Sequence, residues 1–372
     1  MLKTRWLQWS VLLWSCVLLA HLTPPAVMAS QDSRNPGASR LDEIEMGIQR
    51  GKDIVPRSAA ATDDETSLRF KREYFSAGGR KRPVFAKYLS VLGAEKILDV
   101  LEAIYPLCHG EAHELGQAIF ARVKEINLAL RECKTRCTTG CMHGVLMEAF
   151  GKATLLDVTT QMVSFCGESE LTQMHRSGNC AHGMGHALMI SSGHDIQKSL
   201  TACSSFPNLA MEYYCATGVF MEHMMTGKSK HRRPESLHSP CDLYTRYPAA
   251  CYRYKVPQLL HALGGDTDKI VDACSALAPA LRLGCFHGVG AAHIRAIARK
   301  PGLLSTVCRH GTPDERVICI EGAIEALAEF DEPRAMAACA TLDGESAVVC
   351  SAAARGKMYS LTKPSMALYY SR

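Results

Sequence analysis

Hydrophobic residues recur at helical spacing along most of the chain, beginning near Pro83. Apolar side chains three and four residues apart, as at Ile97, Val100 and Leu101, are typical of helices that bury one face. Alternating apolar and polar runs, which would indicate strands, are almost absent. The pattern predicts an all-helical domain that extends over residues 81–372.

The segment before this domain has a different composition. Residues 30–80 are rich in Ser, Asp, Arg, Gly and Ala and show no sustained apolar period. A segment of this kind buries too little apolar surface to fold by itself. We therefore expect a flexible segment that contains one short helix.

The first 29 residues have the features of a secretory signal peptide. Lys3 and Arg5 precede an apolar run over residues 11–20, and the small residue Ala29 offers a cleavage site. A membrane anchor is the alternative, but this run is about half of the ~20 residues that cross a bilayer. No second long apolar segment follows, so we expect no transmembrane segment after signal removal.

The cysteines fall into two series with a period near 35 residues. The second cysteine of each unit recurs at intervals of 31 to 39 residues, at Cys141, Cys180, Cys215, Cys251, Cys285, Cys319 and Cys350. The first series precedes it, at Cys133, Cys166, Cys203, Cys241, Cys274, Cys308 and Cys339. Periods of this length are typical of stacked helical hairpins. The predicted fold is an α-solenoid of about 7–8 helical hairpins of ~35 residues, each tied by a disulfide.

Removal of residues 1–29 takes away Cys16 and leaves 16 cysteines, an even number that favours a full set of disulfides. Disulfides persist in oxidising compartments, so we expect a periplasmic or secreted protein. The simplest pairing is Cys166–Cys180, Cys203–Cys215, Cys241–Cys251, Cys274–Cys285, Cys308–Cys319, Cys339–Cys350, Cys133–Cys141 and Cys108–Cys137. Spacing alone leaves Cys108 with Cys133 and Cys137 with Cys141 as an alternative.

One helix start is explicit in the sequence. Thr312, Pro313 and Glu315 provide a cap residue, a first-turn proline and a glutamate three positions after the cap. This combination predicts a helix that runs from there towards Phe330, with Cys319 inside it.

Glycine and histidine recur beside the second cysteines. Five units have Gly three residues after the cysteine, and a Gly inside a helix costs about 1 kcal/mol relative to Ala. We therefore expect these glycines to let a neighbouring helix approach closely. The residue before this Gly is His or Glu in four units, and both residue types bind metals or transfer protons.

Two helices carry His pairs four residues apart, a spacing that places both imidazoles on one helix face. Stacked hairpins would turn these pairs and a further His towards a shared groove. The predicted metal ligands are His109, His113, His143, His182 and His186. Imidazoles without thiolates suit a divalent transition metal, with Cu, Fe and Zn as the candidates. The alternative for each His is a structural hydrogen bond inside the repeat.

Further residues with suitable side chains fall near the same face. The candidates for orienting the ligands or transferring protons are Glu111, Glu148, Glu222, His223 and His287. His293, Glu321 and Glu325 would extend this polar stripe along the later units.

Charge and motif searches exclude several function classes. The chain has 372 residues, with 42 Lys and Arg against 37 Asp and Glu, an imbalance too small for a nucleic-acid-binding surface. We found no haem-attachment motif, no His-Glu-x-x-His, no phosphate-binding loop and no Gly-x-Ser-x-Gly.

Three motifs carry a resemblance. Cys-His-x-x-x-His at 108–113, Gly-Cys-x-His-Gly at 140–144 and Cys-x-His-Gly-x-Gly-His at 180–186 resemble secreted bacterial Cys/His-rich helical repeat proteins. The architecture is also similar to that of Sel1-type repeats. The resemblance implies disulfide-tied helical hairpins and implies no particular reaction.

The sequence thus supports two functional hypotheses. The first is an exported metal-binding helical repeat protein with a His-rich site in its groove, acting as a metal-dependent oxidoreductase. A metallochaperone is a variant of it. The second is a disulfide-stabilised scaffold whose groove binds a peptide or an exported protein partner.

Overall fold

The computed structural model describes residues 64–105, 108–133, 136–168, 178–227 and 236–357. The predicted signal peptide, residues 1–29, lies outside the described residues, as does most of the segment 30–80. Within the described ranges every regular element is a helix, so the predicted all-helical fold is confirmed.

The described part contains a short 3₁₀ helix, Cys137–Thr139, and 17 α-helices. The α-helices are α1 Glu65–Ser76, α2 Arg82–Ile104, α3 His109–Val123, α4 Ile126–Glu132, α5 Gly140–Phe150, α6 Leu155–Glu168, α7 Asn179–Ser191, α8 Ile196–Cys203, α9 Leu209–Thr226, α10 Pro248–Ala262, α11 Thr267–Ser275, α12 Pro279–Ala292, α13 Ile294–Arg299, α14 Leu303–Val307, α15 Pro313–Phe330, α16 Glu332–Cys339 and α17 Gly344–Ala354.

Most hairpins combine an outer helix with an inner helix, and a disulfide joins the two. The structure contains the disulfides Cys108–Cys137, Cys133–Cys141, Cys166–Cys180, Cys203–Cys215, Cys241–Cys251, Cys274–Cys285, Cys308–Cys319 and Cys339–Cys350. Each bond joins cysteines between 8 and 29 residues apart, so every covalent closure is local. In chain-entropy models a closure of this size contributes on the order of 3 kcal/mol to stability.

The inner helices form one continuous layer. In chain order, α2, α3, α5, α7, α9, α10, α12, α15 and α17 each pack against the next. Their facing surfaces are fully buried, with large side chains such as Tyr213, Phe220, Tyr252 and Phe286 at most 1% exposed. This layer is the hydrophobic core, and the stacked hairpins of the predicted solenoid are present.

Glycines set the spacing between neighbouring inner helices. A Cβ added to Gly144 of α5 would lie 1.9 Å from the carbonyl oxygen of His113, and one added to Gly116 of α3 would lie 2.0 Å from that of Cys141. The two helices therefore touch backbone to backbone, as the sequence predicted. The same reciprocal contact joins α7 to α9 and α12 to α15, through Gly185, Gly218, Gly290 and Gly322.

The N-terminal part of the described chain joins the same core. Helix α1 lies within the segment 30–80, and its Phe70 and Tyr74 are buried against Phe85 and Tyr88 of α2. The packed helices therefore begin before residue 81. None of the described helices is both long enough and apolar enough to cross a membrane.

The predicted start of α15 is confirmed. The Thr312 hydroxyl accepts the backbone N–H of Glu315, and the Glu315 carboxylate accepts the N–H of Thr312 at 2.8 Å. The helix ends at Phe330 and carries Cys319 in its interior.

Candidate metal centre

Five imidazoles from three inner helices meet in the core. His109 and His113 come from α3, His143 from α5, and His182 and His186 from α7. Adjacent rings have centroids 4.5 to 5.1 Å apart. Four of the five side chains are at most 8% exposed, and His109 is the more accessible one. One nitrogen from each of His109, His143, His182 and His186 lies within 4.8 Å of the other three, so this group could hold a metal ion.

The two histidines of α7 present unprotonated nitrogens to each other. His186 Nδ1 lies 2.9 Å from the Glu222 carboxylate, which can only accept a hydrogen bond when ionised. His182 Nδ1 lies 2.7 Å from the Thr217 hydroxyl oxygen, whose own proton is donated to the Tyr214 carbonyl. We therefore assign the proton to Nδ1 in both rings. Their Nε2 atoms, 3.1 Å apart, then face each other with lone pairs.

His109 of α3 also carries its proton on Nδ1. Its Nδ1 lies 3.1 Å from the Thr138 carbonyl oxygen and 2.7 Å from the Thr138 hydroxyl, which donates to the Cys137 carbonyl. The proton is thus on Nδ1, and Nε2 carries a lone pair. His113 Nε2 lies 3.0 Å from that atom.

His143 has the opposite tautomer. Its Nε2 donates to the backbone carbonyl of Asn179 at 3.0 Å, so its Nδ1 carries the lone pair. This Nδ1 lies 3.4 Å from His109 Nε2. Lone pairs therefore face each other between His182 Nε2 and His186 Nε2 and between His143 Nδ1 and His109 Nε2. Such contacts are repulsive unless a proton or a metal ion lies between the nitrogens. Tetrahedral ligands at zinc bond lengths would lie about 3.3 Å apart, close to these separations.

A strained turn positions the Thr138 oxygens that accept the hydrogen bond from His109 Nδ1. Cys137, Thr138 and Thr139 have φ angles of 48°, 48° and 63°, in the left-handed region that non-glycine residues rarely adopt. Such conformations cost on the order of 1–3 kcal/mol each and persist where the surroundings enforce them. Here the Cys108–Cys137 disulfide and the carboxylate of Glu102, which accepts the Cys137 N–H at 3.0 Å, hold the turn.

Burial keeps three of the imidazoles neutral. Burial, followed by the charge that His186 can carry, lowers the pKa of His109 to about 3. Burial and then His109 place the pKa of His113 well below its ordinary value, and burial and then His143 do the same for the pKa of His182. Neutral imidazole is the form that binds metals, so these side chains are available as ligands at neutral pH.

The predicted accessory residues divide by location. Glu222 contacts the centre through His186, whereas Glu148 pairs with Arg82 of α2 at 2.9 Å. Glu111 is buried in the first turn of α3, and His223 is half-buried on α9. His287 lies at a second polar cluster instead of at the five imidazoles.

That second cluster joins distant parts of the core. Arg253 donates to Glu325 at 3.0 Å and to Glu329 at 2.8 Å, and the Tyr213 hydroxyl donates to Glu325 at 2.9 Å. His287 Nε2 lies 3.2 Å from the same Glu325 carboxylate. Burial alone would raise the pKa of Glu325, but the Arg253 guanidinium and the contacts with His287 and Tyr213 together bring this pKa below its ordinary value. The cluster ties α15 to α9, α10 and α12.

A third group, Glu102 with Cys108 and Cys137, has spacing that would also suit a metal ion. The two cysteines form a disulfide, so neither offers a thiolate ligand. The Glu102 carboxylate accepts hydrogen bonds from Cys137 N and from Arg136 at 2.9 Å. We therefore interpret this group as structural.

Sequence reasoning missed the groups that hold the imidazoles. Thr138, Thr217 and Asn179 carry no motif, and backbone carbonyls cannot be recognised from residue type. Their one signal is position, since Thr217 takes the place in its unit that His143 and His287 occupy in theirs.

Comparisons of the chain with protein-family models, with curated proteins and with solved structures find no match. Of the expected resemblance, the helical hairpins, the disulfides and the grouped His and Cys residues are present. Kinship with Sel1-type repeats is not supported by any match. The centre's geometry is therefore the guide to function.

Proposed function

We propose that this protein binds a divalent transition metal through the five-histidine centre. One observation carries the proposal: imidazoles with assigned tautomers, three of the four buried, direct lone pairs at one another across 3.1 and 3.4 Å. A cation relieves that repulsion, and the lowered pKa of His182 disfavours a proton in that role.

The ligands follow from the tautomers. His109, His182 and His186 would bind through Nε2, and His143 through Nδ1. His113, whose Nε2 lies 3.0 Å from that of His109, would be a fifth ligand or a hydrogen-bond donor to it. Four or five neutral imidazoles suit Cu, Fe or Zn, and nothing in the donor set separates these three.

The reaction that we propose is oxidation and reduction at Cu or Fe. Burial of the imidazoles supports it, because a site with little bulk water lets the surrounding charges control the potential of the ion. Eight disulfides are typical of an oxidising compartment, and they support the proposal that residues 1–29 direct export to the periplasm or beyond.

Elemental analysis of protein purified without a His tag tests metal binding. We expect about one Zn, Cu or Fe ion per chain, the stoichiometry of a single centre. His182→Ala/His186→Ala should lose the metal and keep the helical circular dichroism. His261→Ala/His310→Ala removes two histidines outside the centre and should keep the metal. Wild-type protein that is metal-free and takes up none of the three ions would overturn the proposal.

The alternative function is a scaffold for a peptide or an exported protein. In the described helices the inner faces are filled by side chains from neighbouring helices, such as Tyr213 and Arg253 against Glu325. This favours the metal centre over an open groove. If the scaffold function were correct, the His182→Ala/His186→Ala variant would retain partner capture.

A further inference from the structure

The oxygen acceptors around the centre differ in charge. Thr138 and Asn179 offer backbone carbonyls, and Thr217 offers a hydroxyl. Glu222 alone among these acceptors offers a carboxylate, at 2.9 Å from His186 Nδ1. His186 is therefore the imidazole whose outer nitrogen faces a negative charge.

Burial makes this contact energetically important. Glu222 is 4% exposed and His186 is fully buried. An ionised carboxylate in such a place costs several kcal/mol unless a cation or strong donors compensate it. Glu222 contacts His186, and this imidazole balances the carboxylate's charge only when it is protonated or bound to a metal ion.

The equivalent glutamate of an earlier unit shows that this arrangement is specific. Glu148 and Glu222 both lie four residues after an inter-helix glycine, Gly144 and Gly218. Glu148 pairs with Arg82 and with Lys152, at 2.9 and 3.2 Å. The same register thus gives ion pairs with exposed cations in α5 and a buried carboxylate–imidazole contact in α9.

We infer that Glu222 is a positioning residue that sets the affinity and the charge preference of the metal centre. This inference rests on the proposed function. The carboxylate orients His186 and draws its Nδ1 proton, so Nε2 becomes a more basic ligand. It also supplies a negative charge beside a set of otherwise neutral ligands, which favours a divalent ion over a monovalent one.

Glu222→Gln is the informative variant. Its amide oxygen can accept the same Nδ1–H bond, so orientation is kept and the charge is removed. Glu148→Gln is the matched control, since it removes a carboxylate at the same register away from the centre. With Zn²⁺ as the probe, and affinity measured by competition with a coloured chelator, Glu222→Gln should bind about 10- to 100-fold more weakly. Glu148→Gln should bind like wild type.

A second readout separates charge from structure. In copper-loaded protein, Glu222→Gln should raise the reduction potential, because loss of the carboxylate destabilises Cu²⁺ more than Cu⁺. Glu222→Asp keeps the charge and should restore much of the Zn²⁺ affinity. A charge-independent structural role predicts equal losses in Asp and Gln variants and an unchanged potential.

The outcomes are distinct. Zn²⁺ affinity and potential unchanged in Glu222→Gln would refute the inference and leave the proposed function intact. Wild-type protein that binds neither Zn²⁺ nor copper overturns both. If Glu222→Gln fails to fold, the Zn²⁺ affinity of Glu222→Asp decides. An affinity near that of wild type supports the role of the charge. An affinity as low as that of His186→Ala contradicts it.

Discussion

Replacement of Gly144 by Ala should separate two helices that carry metal ligands. The added Cβ would lie 1.9 Å from the His113 carbonyl oxygen, whereas a carbon and a carbonyl oxygen in contact stay about 3.3 Å apart. Helices α3 and α5 must therefore move apart by about 1.4 Å or distort locally. The obstacle is backbone, which cannot rotate away as a side chain can.

The magnitude follows from two opposing terms. Overpacking in a well-packed core costs about 1–3 kcal/mol, and the upper end applies where backbone meets backbone. Gly to Ala inside a helix returns about 1 kcal/mol. We expect a net loss of about 2 kcal/mol in the free energy of unfolding, or about 4 °C in Tm. Metal affinity should also fall, because the shift moves His143 away from His109.

Urea denaturation of the oxidised protein measures the loss, and Gly167→Ala is the control. A Cβ at Gly167 of α6 meets nothing within 4 Å, so that variant should keep or raise the stability. Equal stability of Gly144→Ala and wild type would refute the close-contact reasoning.

Three further predictions concern a cap, pH and the disulfides. Thr312→Ala should reduce the free energy of unfolding by about 1 kcal/mol, as urea denaturation would show, because α15 loses its cap; no loss would contradict the cap. The pKa values of His109, His113 and His182 are lower in the folded chain than the unfolded value of 6.5, so the folded metal-free protein binds fewer protons. The free energy of unfolding should be highest above pH 6.5 and fall towards pH 3, by up to about 1.4 kcal/mol per pH unit for each group. Urea titrations at several pH values measure this, and a free energy that does not change with pH would contradict neutral imidazoles. Reduction of all eight disulfides should abolish the helical circular dichroism at 25 °C, since each closure contributes on the order of 3 kcal/mol and folded domains have about 5–15 kcal/mol in total; retained helicity would show that the core suffices.

The periodic signals in the sequence were enough to predict the helices and to predict that the five histidines lie together. A Cys period near 35 residues reports the repeat itself, and a His four residues from another reports one helix face. His143 joined the other four imidazoles because the hairpins stack in register, which the periodicity already implied.

The contacts around the centre depend on neighbours that no period reveals. Glu148 and Glu222 occupy equivalent positions, yet Arg82 of α2 lies beside the first and His186 beside the second. The Arg253–Glu325 pair joins residues 72 positions apart, and its existence depends on how α10 and α15 meet. Such pairings depend on the rotation of each helix about its axis, which residue type does not report.

The locality of the disulfides has a mechanical consequence. Among the described residues the Cys108–Cys137 bridge joins the start of α3 to the turn before α5, the other bridges close short stretches of chain, and none joins α5 to α7. If the chain were stretched from its two ends without reductant, the joints that no disulfide spans would open while each hairpin kept its length. A metal ion held by histidines of α5 and α7 would hold the joint between those two helices closed. The metal-loaded protein should therefore withstand a larger pulling force in that region than the metal-free protein.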